Sequence, residues 1–261
     1  MEKSTVIGLV VGILSVIVGM ALKGASPMAL ANPAAFLIII GGTVACLFNA
    51  FTMDILKNFP KLIKKLFEQT KFMPKTEMLK MFVELSQVAR REGILALESR
   101  VEEITDDFLK KGLGMVIDGL DPDFVGDVLD AEIQGMEERH RIGALIFSQA
   151  GTYAPTLGVL GAVIGLIAAL GNLDDIEKLG HSIAAAFVAT LLGIFTGYVI
   201  WHPFSNKLKM MSKKEVDVKK MMVEGILSLQ AGDSPTAIEA KLLVFISQNE
   251  RQLLKAKTEE A

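Results

Sequence analysis

Apolar residues are concentrated in four long segments of this chain that contain no Asp, Glu, Lys or Arg. The uncharged segments are Ser4–Leu22, Gly24–Met53, Ile142–Leu173 and Leu179–Asn206. About 20 apolar residues of helix cross the hydrocarbon core of a bilayer, so each segment is long enough to span a membrane. The first segment is longer than the apolar core of a signal peptide, and we expect it to remain as an uncleaved helix. The pattern predicts four transmembrane helices.

The polar segments predict helices as well, because their apolar residues recur at helical spacing and strand-like alternation is nowhere sustained. An apolar stripe runs from Met78 to Ala89 and is interrupted at Gly93. Further predicted helices cover Glu103–Leu113, Pro122–Leu129, Ala131–Arg139 (running into the third span), Asn206–Gln230 and Thr236–Ser247, the last preceded by Pro235 as its first helical residue. The predicted fold class is an all-α integral membrane protein with four transmembrane helices.

Four regions follow from this pattern. Residues 1–53 hold transmembrane helices 1 and 2, residues 54–141 a helical cytoplasmic domain, residues 142–205 transmembrane helices 3 and 4, and residues 206–261 a helical cytoplasmic tail. The segment Asn58–Phe72 is amphipathic, with lysines opposite its apolar face. It is compatible with a helix in the membrane interface or with a soluble helix packed on the cytoplasmic domain.

The distribution of positive charge predicts the orientation of the chain. The segment from Asp54 to Arg141 carries 14 Lys and Arg residues and the tail from Lys207 carries 10, whereas the two short connectors hold only Lys23 and Lys178. Positive residues that flank membrane spans lie mainly on the cytoplasmic side. Both termini and the large loop are therefore expected in the cytoplasm, with the protein in the inner membrane.

Composition excludes several classes of protein. The net charge of −3 does not suggest a nucleic-acid-binding protein. A single cysteine, Cys46, excludes an intrachain disulfide, and His140, His181 and His202 lack the spacing of metal ligands. Phosphate-binding loops and nucleophile elbows are absent from the sequence. We therefore expect neither an enzyme nor a bound cofactor or metal.

Small residues form a repeating stripe in spans 3 and 4. The stripe comprises Gly151, Ala154, Gly158, Gly161, Gly165 and Ala168 in span 3, and Ser182, Ala186, Ala189, Gly193 and Thr196 in span 4. Small residues at such spacing let helix backbones approach closely in a membrane. Gly158, Gly161, Gly165, Ala186 and Gly193 are thus predicted to mediate helix packing, either between the two spans of one chain or between chains.

The apolar cores of spans 3 and 4 contain no acidic or basic side chain, although ion pathways are usually marked by one. Their polar groups are Thr152, Tyr153, Thr156, Thr190, Thr196, Tyr198 and His202. Membrane threonines commonly bond their own helix. If this chain conducts ions, a partner must therefore supply the titrating carboxylate. Pro155 frees a backbone carbonyl inside span 3, and the resulting kink is either structural or the site of a hinge. Pro203 follows Trp201 at the cytoplasmic end of span 4, where an interfacial anchor is expected.

Four stretches resemble the A subunits of bacterial flagellar stators, the MotA/PomA family. They are ALANPAAFLIIIGGT, ARREGILALE (Ala89–Glu98), GTYAPTLGVLGAVIGLIAALGNLDD and AAAFVATLLGIFTGYVIWHPFSNKL. The likeness extends over nearly the whole chain. It implies a MotB-like B subunit that supplies an intramembrane Asp, a pentamer of A subunits around two B subunits, and a FliG-like rotor protein as a further partner.

The resemblance also implies roles for individual residues. Arg90 and Glu98 match the charged pair that meets the rotor, with Arg91 as an additional candidate, although spacing alone is compatible with an ordinary solvated face. Pro155 and Pro203 match prolines that couple ion movement to conformational change.

Thr190 matches a hydroxyl near the ion path. Sodium-driven relatives carry a threonine where this chain has Ala162, which favours protons as the translocated ion. The alternatives are a TolQ/ExbB-like channel that energises an envelope protein, and a membrane scaffold without ion flux.

Overall fold

The computed structural model describes residues 3–68 and 72–252, and within these ranges the backbone forms helices and turns without a β-strand. In chain order the helices are α1 (Lys3–Leu22), α2 (Pro33–Ala50), α3 (Phe59–Phe67), α4 (Lys75–Glu92), α5 (Glu98–Glu102), α6 (Asp107–Ile117), α7 (Pro122–Leu170), α8 (Ile176–Gln230) and α9 (Pro235–Leu243). Single turns lie at Pro27–Leu30, Met53–Leu56 and Ile94–Leu97. The predicted all-α fold class is confirmed.

The chain divides into two compact units. The first comprises Met1–Thr70 and Arg139–Met210, and the second comprises Lys71–Glu138 and Met211–Ala261. Helices α1, α2, α7 and α8 are each long and apolar enough to cross a membrane. The four predicted spans are therefore present.

Helix α3 belongs to the first unit. Its Leu66 is completely buried, and the ring of Phe59 stacks on that of Phe147 with 5.0 Å between centroids. The hydroxyl of Thr5 donates a hydrogen bond to the Leu66 carbonyl at 3.0 Å. Within the first unit, helix α3 thus packs on the ends of membrane-crossing helices, as an interfacial helix would.

Several predicted helix boundaries were wrong. The predicted helices Pro122–Leu129 and Ala131–Arg139 are one continuous helix, α7, which runs from Pro122 to Leu170. The sequence around position 130 contains no proline that would interrupt it. The predicted helix Glu103–Leu113 instead starts at Asp107, because the side chain of Asp106 accepts a hydrogen bond from the Leu109 N–H and caps α6. Residues 103–106 form a turn and irregular backbone between the short helix α5 and α6.

The core of the second unit is built around α4. Its Phe82 is fully buried, and a Cβ added at Gly225 would lie 2.5 Å from the Phe82 ring, so glycine is needed there. Other fully or almost fully buried members of this core are Leu109, Leu113, Leu129, Met221, Ile226 and Leu242. Helix α4 ends at Gly93, whose φ of 89° is favourable only for glycine. The tail helix ends at Gln230 and α9 starts at Pro235, as predicted, but the tail helix continues α8 without a break at Asn206, and α9 ends at Leu243 instead of Ser247.

Candidate functional site

Helices α7 and α8 pack backbone against backbone. A Cβ added at Gly158 would lie 2.8 Å from the Ala189 carbonyl oxygen. A Cβ at Gly193 would lie 2.8 Å from both the Ala154 carbonyl oxygen and the Gly158 Cα. Neither position leaves room for a side chain, so the two helices are in direct contact here.

The same close packing continues along both helices. A Cβ at Gly165 would lie 2.9 Å from the Ala186 Cβ, and one at Gly161 would lie 3.1 Å from the Ala189 Cβ. The small-residue stripes of both spans therefore meet inside one chain, which is the first of the two possibilities left open by the sequence.

The outward faces of these helices carry large apolar side chains instead. Exposed members are Val159, Leu160, Val163, Ile164, Ile167, Phe187, Ile194 and Tyr198. Any second chain that packs on α7 and α8 would therefore meet these large side chains and not the glycines.

Pro155 faces an irregular part of α8. Residues Thr196–Trp201 form a π-helical segment between the α-helical parts of α8. A Cβ added at Gly197, within this segment, would lie 2.7 Å from Pro155 Cγ and 2.9 Å from the Gly151 carbonyl oxygen. That carbonyl is the one that Pro155, which has no N–H, leaves without its usual helical donor. A proline in one helix and a π segment in the other thus lie in contact.

The imidazole of His202 lies against Gly151, whose carbonyl takes part in this contact. A Cβ at Gly151 would lie 2.8 Å from His202 Cδ2, and the His202 ring is 5.3 Å from that of Tyr198. In the sequence His202 is recognisable as a polar group without metal-ligand spacing, and Gly197 does not stand out. Gly197 lies four residues after Gly193 and next to Thr196 of the small-residue stripe, and this position is the signal that could have identified it.

Most hydroxyl groups in the two spans bond their own helix. Thr196 donates to the Leu192 carbonyl at 2.8 Å, Thr152 to Ser148 at 3.1 Å and Thr156 to Tyr153 at 2.7 Å. Thr190 is only 3.4 Å from the Ala186 carbonyl oxygen, a long contact for a hydroxyl donor. Its hydroxyl is therefore the least strongly engaged of the four.

Thr190 also lines a groove of about 580 Å³ on the surface of the first unit. The other lining residues are Val16, Phe187, Leu191, Ile194, Phe195, Tyr198 and Val199. Ala162 is half-buried on α7, next to Gly161. Among residues 142–173 and 179–206, all of which the structure describes, there is no Asp, Glu, Lys or Arg. The arrangement offers a close-packed helix pair with a few hydroxyls and no carboxylate of its own.

The remaining sequence-predicted residues lie elsewhere. Pro203 is exposed just after the π segment and lines a small cavity with α1. In the second unit Arg90, Arg91 and Glu98 are exposed on either side of the Gly93 turn. Within the described ranges none of these three side chains forms an ion pair.

Leu95 lies between these charges and is 69% exposed. Its exposure is not predicted above, although a leucine that falls outside the apolar stripe of its neighbours is a usable signal. Leu95 is thus an exposed apolar residue between charged side chains that form no ion pair among the described residues.

Two family descriptions match this chain. "Motility protein A N-terminal" matches residues 6–93, and "MotA/TolQ/ExbB proton channel family" matches residues 100–221. The chain is 53% identical over 251 residues to Motility protein A of Bacillus subtilis (strain 168), which covers 96% of this chain and 93% of that protein.

The fold is similar to two solved structures. For the flagellar MotAB stator complex from Bacillus subtilis the TM-score is 0.93 at 52% identity, covering 97% of this chain and 99% of that one. For MotAB of C. jejuni the TM-score is 0.90 at 33% identity, covering 95% and 97%.

Proposed function

This chain belongs to the MotA/TolQ/ExbB proton channel family, and we propose that it is the A subunit of a flagellar stator. Together with a single-span B subunit it forms an ion channel in the membrane. Ion flow through this channel drives torque on the flagellar rotor.

The observation that carries this proposal is the close-packed pair α7 and α8 without a carboxylate, in a chain that matches a MotAB stator subunit along 97% of its length. Ion relays in membranes need a titrating group. A channel built on this pair therefore requires a B subunit that contributes an intramembrane Asp. This requirement agrees with the two-component complexes of the similar structures.

The proposed ion is the proton. A sodium path needs several oxygen ligands, because hard cations bind through oxygen. The side chain of Ala162 has no oxygen, and the weakly bonded hydroxyl of Thr190 could supply only one ligand. Proton transfer to a partner carboxylate needs no such ligand set.

The proposed assembly is a pentamer of this chain around two B subunits, in the cytoplasmic membrane with both termini in the cytoplasm. In this assembly Arg90, Arg91 and Glu98 contact a FliG-like rotor protein, with Leu95 as the apolar centre of that surface. Pro155 and Pro203 act as hinges that link ion passage to movement. The support for the rotor surface is the exposure of all four side chains.

The first test is deletion of the gene followed by inspection of filaments and swimming in the same cells. We expect normal filaments on cells that do not swim, and recovery of swimming when the intact gene is returned. Normal swimming in a strain that also lacks every other stator gene, together with impaired nutrient uptake, would point to the TolQ/ExbB-like function instead.

A second test separates the rotor surface from the channel. Exchanging the charges with Arg90→Glu and Glu98→Lys should strongly reduce torque in tethered cells, because like charges would then face the rotor. Ion flux through the complex in vesicles should remain unchanged. Lys80→Glu, an exposed charge on the same helix, serves as the matched control. Unaltered swimming of the double variant would contradict the proposed contact.

A further inference from the structure

Spans 3 and 4 contain two side chains that exchange protons near neutral pH, His181 and His202. His181 is exposed near the beginning of α8, whereas His202 is half-buried directly after the π segment. In the orientation proposed above, His202 therefore lies at the cytoplasmic end of span 4. The function proposed so far gives this imidazole no part.

The imidazole of His202 is held by contacts on two helices. A Cβ added at Gly151 would lie 2.8 Å from His202 Cγ and Cδ2 and 2.9 Å from Cε1, so the ring packs directly on the backbone of α7. On its own helix, the ring of Tyr198 lies 5.3 Å from the imidazole between centroids, at an interplanar angle of 45°. Any residue larger than glycine at position 151 would displace the ring, so its place is built into the helix pair.

The two ring nitrogens of His202 are nevertheless available. Neither forms a hydrogen bond or an ion pair with a residue in the described ranges, and neither is enclosed. Helices α1, α2 and α7 pack around this end of α8 and place no Asp, Glu, Lys or Arg beside it, since residues 4–22, 24–53 and 142–173 contain none. The charged side chains of the other packed elements are Lys61, Lys64, Lys65 and Glu68 at α3 and Lys207 on α8. The imidazole can thus take up or release a proton without giving up an existing hydrogen bond.

A groove of about 580 Å³ runs along α8 toward this imidazole. It extends from Phe187 to Val199, and Thr190 and Tyr198 are the two residues in its lining that carry a hydroxyl. Thr190 is the residue that the resemblance places near the ion path. At 1.5 Å per residue, His202 lies about 18 Å farther along α8 than Thr190. Since the Tyr198 ring contacts the imidazole, His202 is the next polar side chain along α8 beyond the groove.

We propose that His202 is the proton acceptor at the cytoplasmic end of the ion path, an inference that rests on the proton-channel function proposed above. The carboxylic acid of the B subunit releases its proton and becomes a carboxylate. Water carries the proton to a lone pair of the neutral imidazole, because about 18 Å is too far for direct transfer. The resulting imidazolium releases a proton to water on the cytoplasmic side, which restores the neutral ring. A ring with one nitrogen that accepts and one that donates suits this relay.

The first test measures proton flux through the complex of this chain with its B subunit in lipid vesicles, driven by a membrane potential. His202→Gln keeps a polar side chain of similar size that takes up no proton, and His202→Ala removes the ring. Both should reduce the flux about a hundredfold, the usual contribution of a positioned proton acceptor. His181→Gln, on the same helix but outside these contacts, should conduct as the wild type does.

Chemical rescue separates a proton relay from a role in packing. Imidazole added to the solution on the cytoplasmic side should restore flux in His202→Ala, because the missing ring leaves room for it, and not in His202→Gln. Pyrrole has the same ring size but a nitrogen that accepts no proton, so it should restore nothing. Equal rescue by both compounds would show that the space only needs filling and would overturn the proposal.

The pH on the cytoplasmic side provides a test that needs no variant. At constant membrane potential, wild-type flux should fall as this pH drops below neutral, because a ring that is already protonated accepts no further proton. In His202→Gln this dependence should be lost. Wild-type flux that stays constant over this range would overturn the proposal even if neither variant assembled.

The outcomes also distinguish this inference from the function on which it rests. A wild-type complex that neither conducts protons nor supports swimming would contradict the proposed function itself. A wild-type complex that does both, with His202→Gln equally active, would overturn only the assignment of His202.

Discussion

Pro155 illustrates how a single residue shapes the contact between the two central helices. It leaves the Gly151 carbonyl without a helical donor, and Gly197 of the π segment lies against both. Because neither helix is regular at this point, a change of backbone geometry here breaks fewer hydrogen bonds than elsewhere in the pair. The feature is therefore suited to a hinge.

Replacing this proline tests the hinge. Pro155→Ala restores an N–H and with it a hydrogen bond worth about 1 kcal/mol, so the helix should become more rigid. We expect most of the torque of tethered cells to be lost while the amount of protein in the membrane stays the same. Full torque in this variant would mean that Pro155 is only structural.

At the residue scale, the sequence predicted hydrogen bonds within a helix better than contacts between distant segments. It correctly indicated that threonines such as Thr196 would bond their own helix, because this depends only on local backbone geometry. It did not reveal that Gly197 touches Pro155 or that Leu95 is exposed. The contact of Gly197 with Pro155 depends on the relative position of segments distant in sequence. The exposure of Leu95 depends on the direction in which a single turn faces.

The close packing of α7 on α8 dominates the element scale. Glycine and alanine are needed wherever the two backbones meet, as at Gly158 and Gly193. The stripe of small residues, which repeats every seven residues, predicted these positions, because small residues are rarely repeated so regularly for another reason. The same stripe did not tell whether the partner helix lies in the same chain, because the packing requirement is identical in both cases.

Enlarging one of these glycines should separate the helices. In Gly193→Val the new Cβ would meet the Ala154 carbonyl and the Gly158 Cα, which are backbone atoms and do not rotate away. Overpacking of this kind costs about 1–3 kcal/mol. We expect a lower unfolding temperature in detergent and loss of swimming.

Gly19→Val is the matched control for this variant, because a Cβ at Gly19 meets nothing within 4 Å. Its unfolding temperature should equal that of the wild type. An equal loss in the two variants would show that valine is harmful in any span and would contradict the packing argument.

At the scale of the whole molecule, an ion-pair cluster fastens α9 within the second unit. Lys241 Nζ lies 2.9 Å from Asp233 Oδ2 and 3.3 Å from Glu224 Oε1, and it donates to the Ser228 hydroxyl at 3.0 Å. The ammonium of Lys241 lowers the pKa of Asp233, and the Asp233 carboxylate raises the pKa of Lys241. The cluster stabilises the turn that leads into α9.

These shifts predict how stability depends on pH. The lowered pKa of Asp233 means that its contribution is full above the ordinary value of 3.8 and is lost as pH falls through the folded-state value below it. The raised pKa of Lys241 means that its contribution is full below 10.5 and is lost as pH rises through the folded-state value above it.

Lys241→Gln should therefore lower the unfolding temperature most between these limits, and the difference from wild type should vanish in strong acid. Its size should be below about 1 kcal/mol, because Lys241 is half exposed and solvent screens the pair. Thermal unfolding across pH measures it, with Lys209→Gln as the control. A difference that persists unchanged in acid would contradict the role of the ion pair.

The overall plan of the chain could be read from its sequence because long uncharged segments have few alternatives to membrane helices. The assignment of α3 could not, since an amphipathic helix has the same pattern on a membrane surface and on a soluble domain. Contacts such as that of Leu66 with Thr5 decide it, and these join residues 61 positions apart.

The π segment also determines in which direction around the helix axis the following side chains of the first unit point. A π turn accommodates one residue more than an α turn, and each residue of an α-helix advances the azimuth by about 100°. The Ser205 hydroxyl, which follows the π segment, donates to the Ala144 carbonyl at 2.8 Å. Removing a single residue from Thr196–Trp201 would turn Ser205 about the helix axis by more than a quarter of a revolution, away from α7. The π segment thus determines which of the residues that follow it face α7 within the first unit.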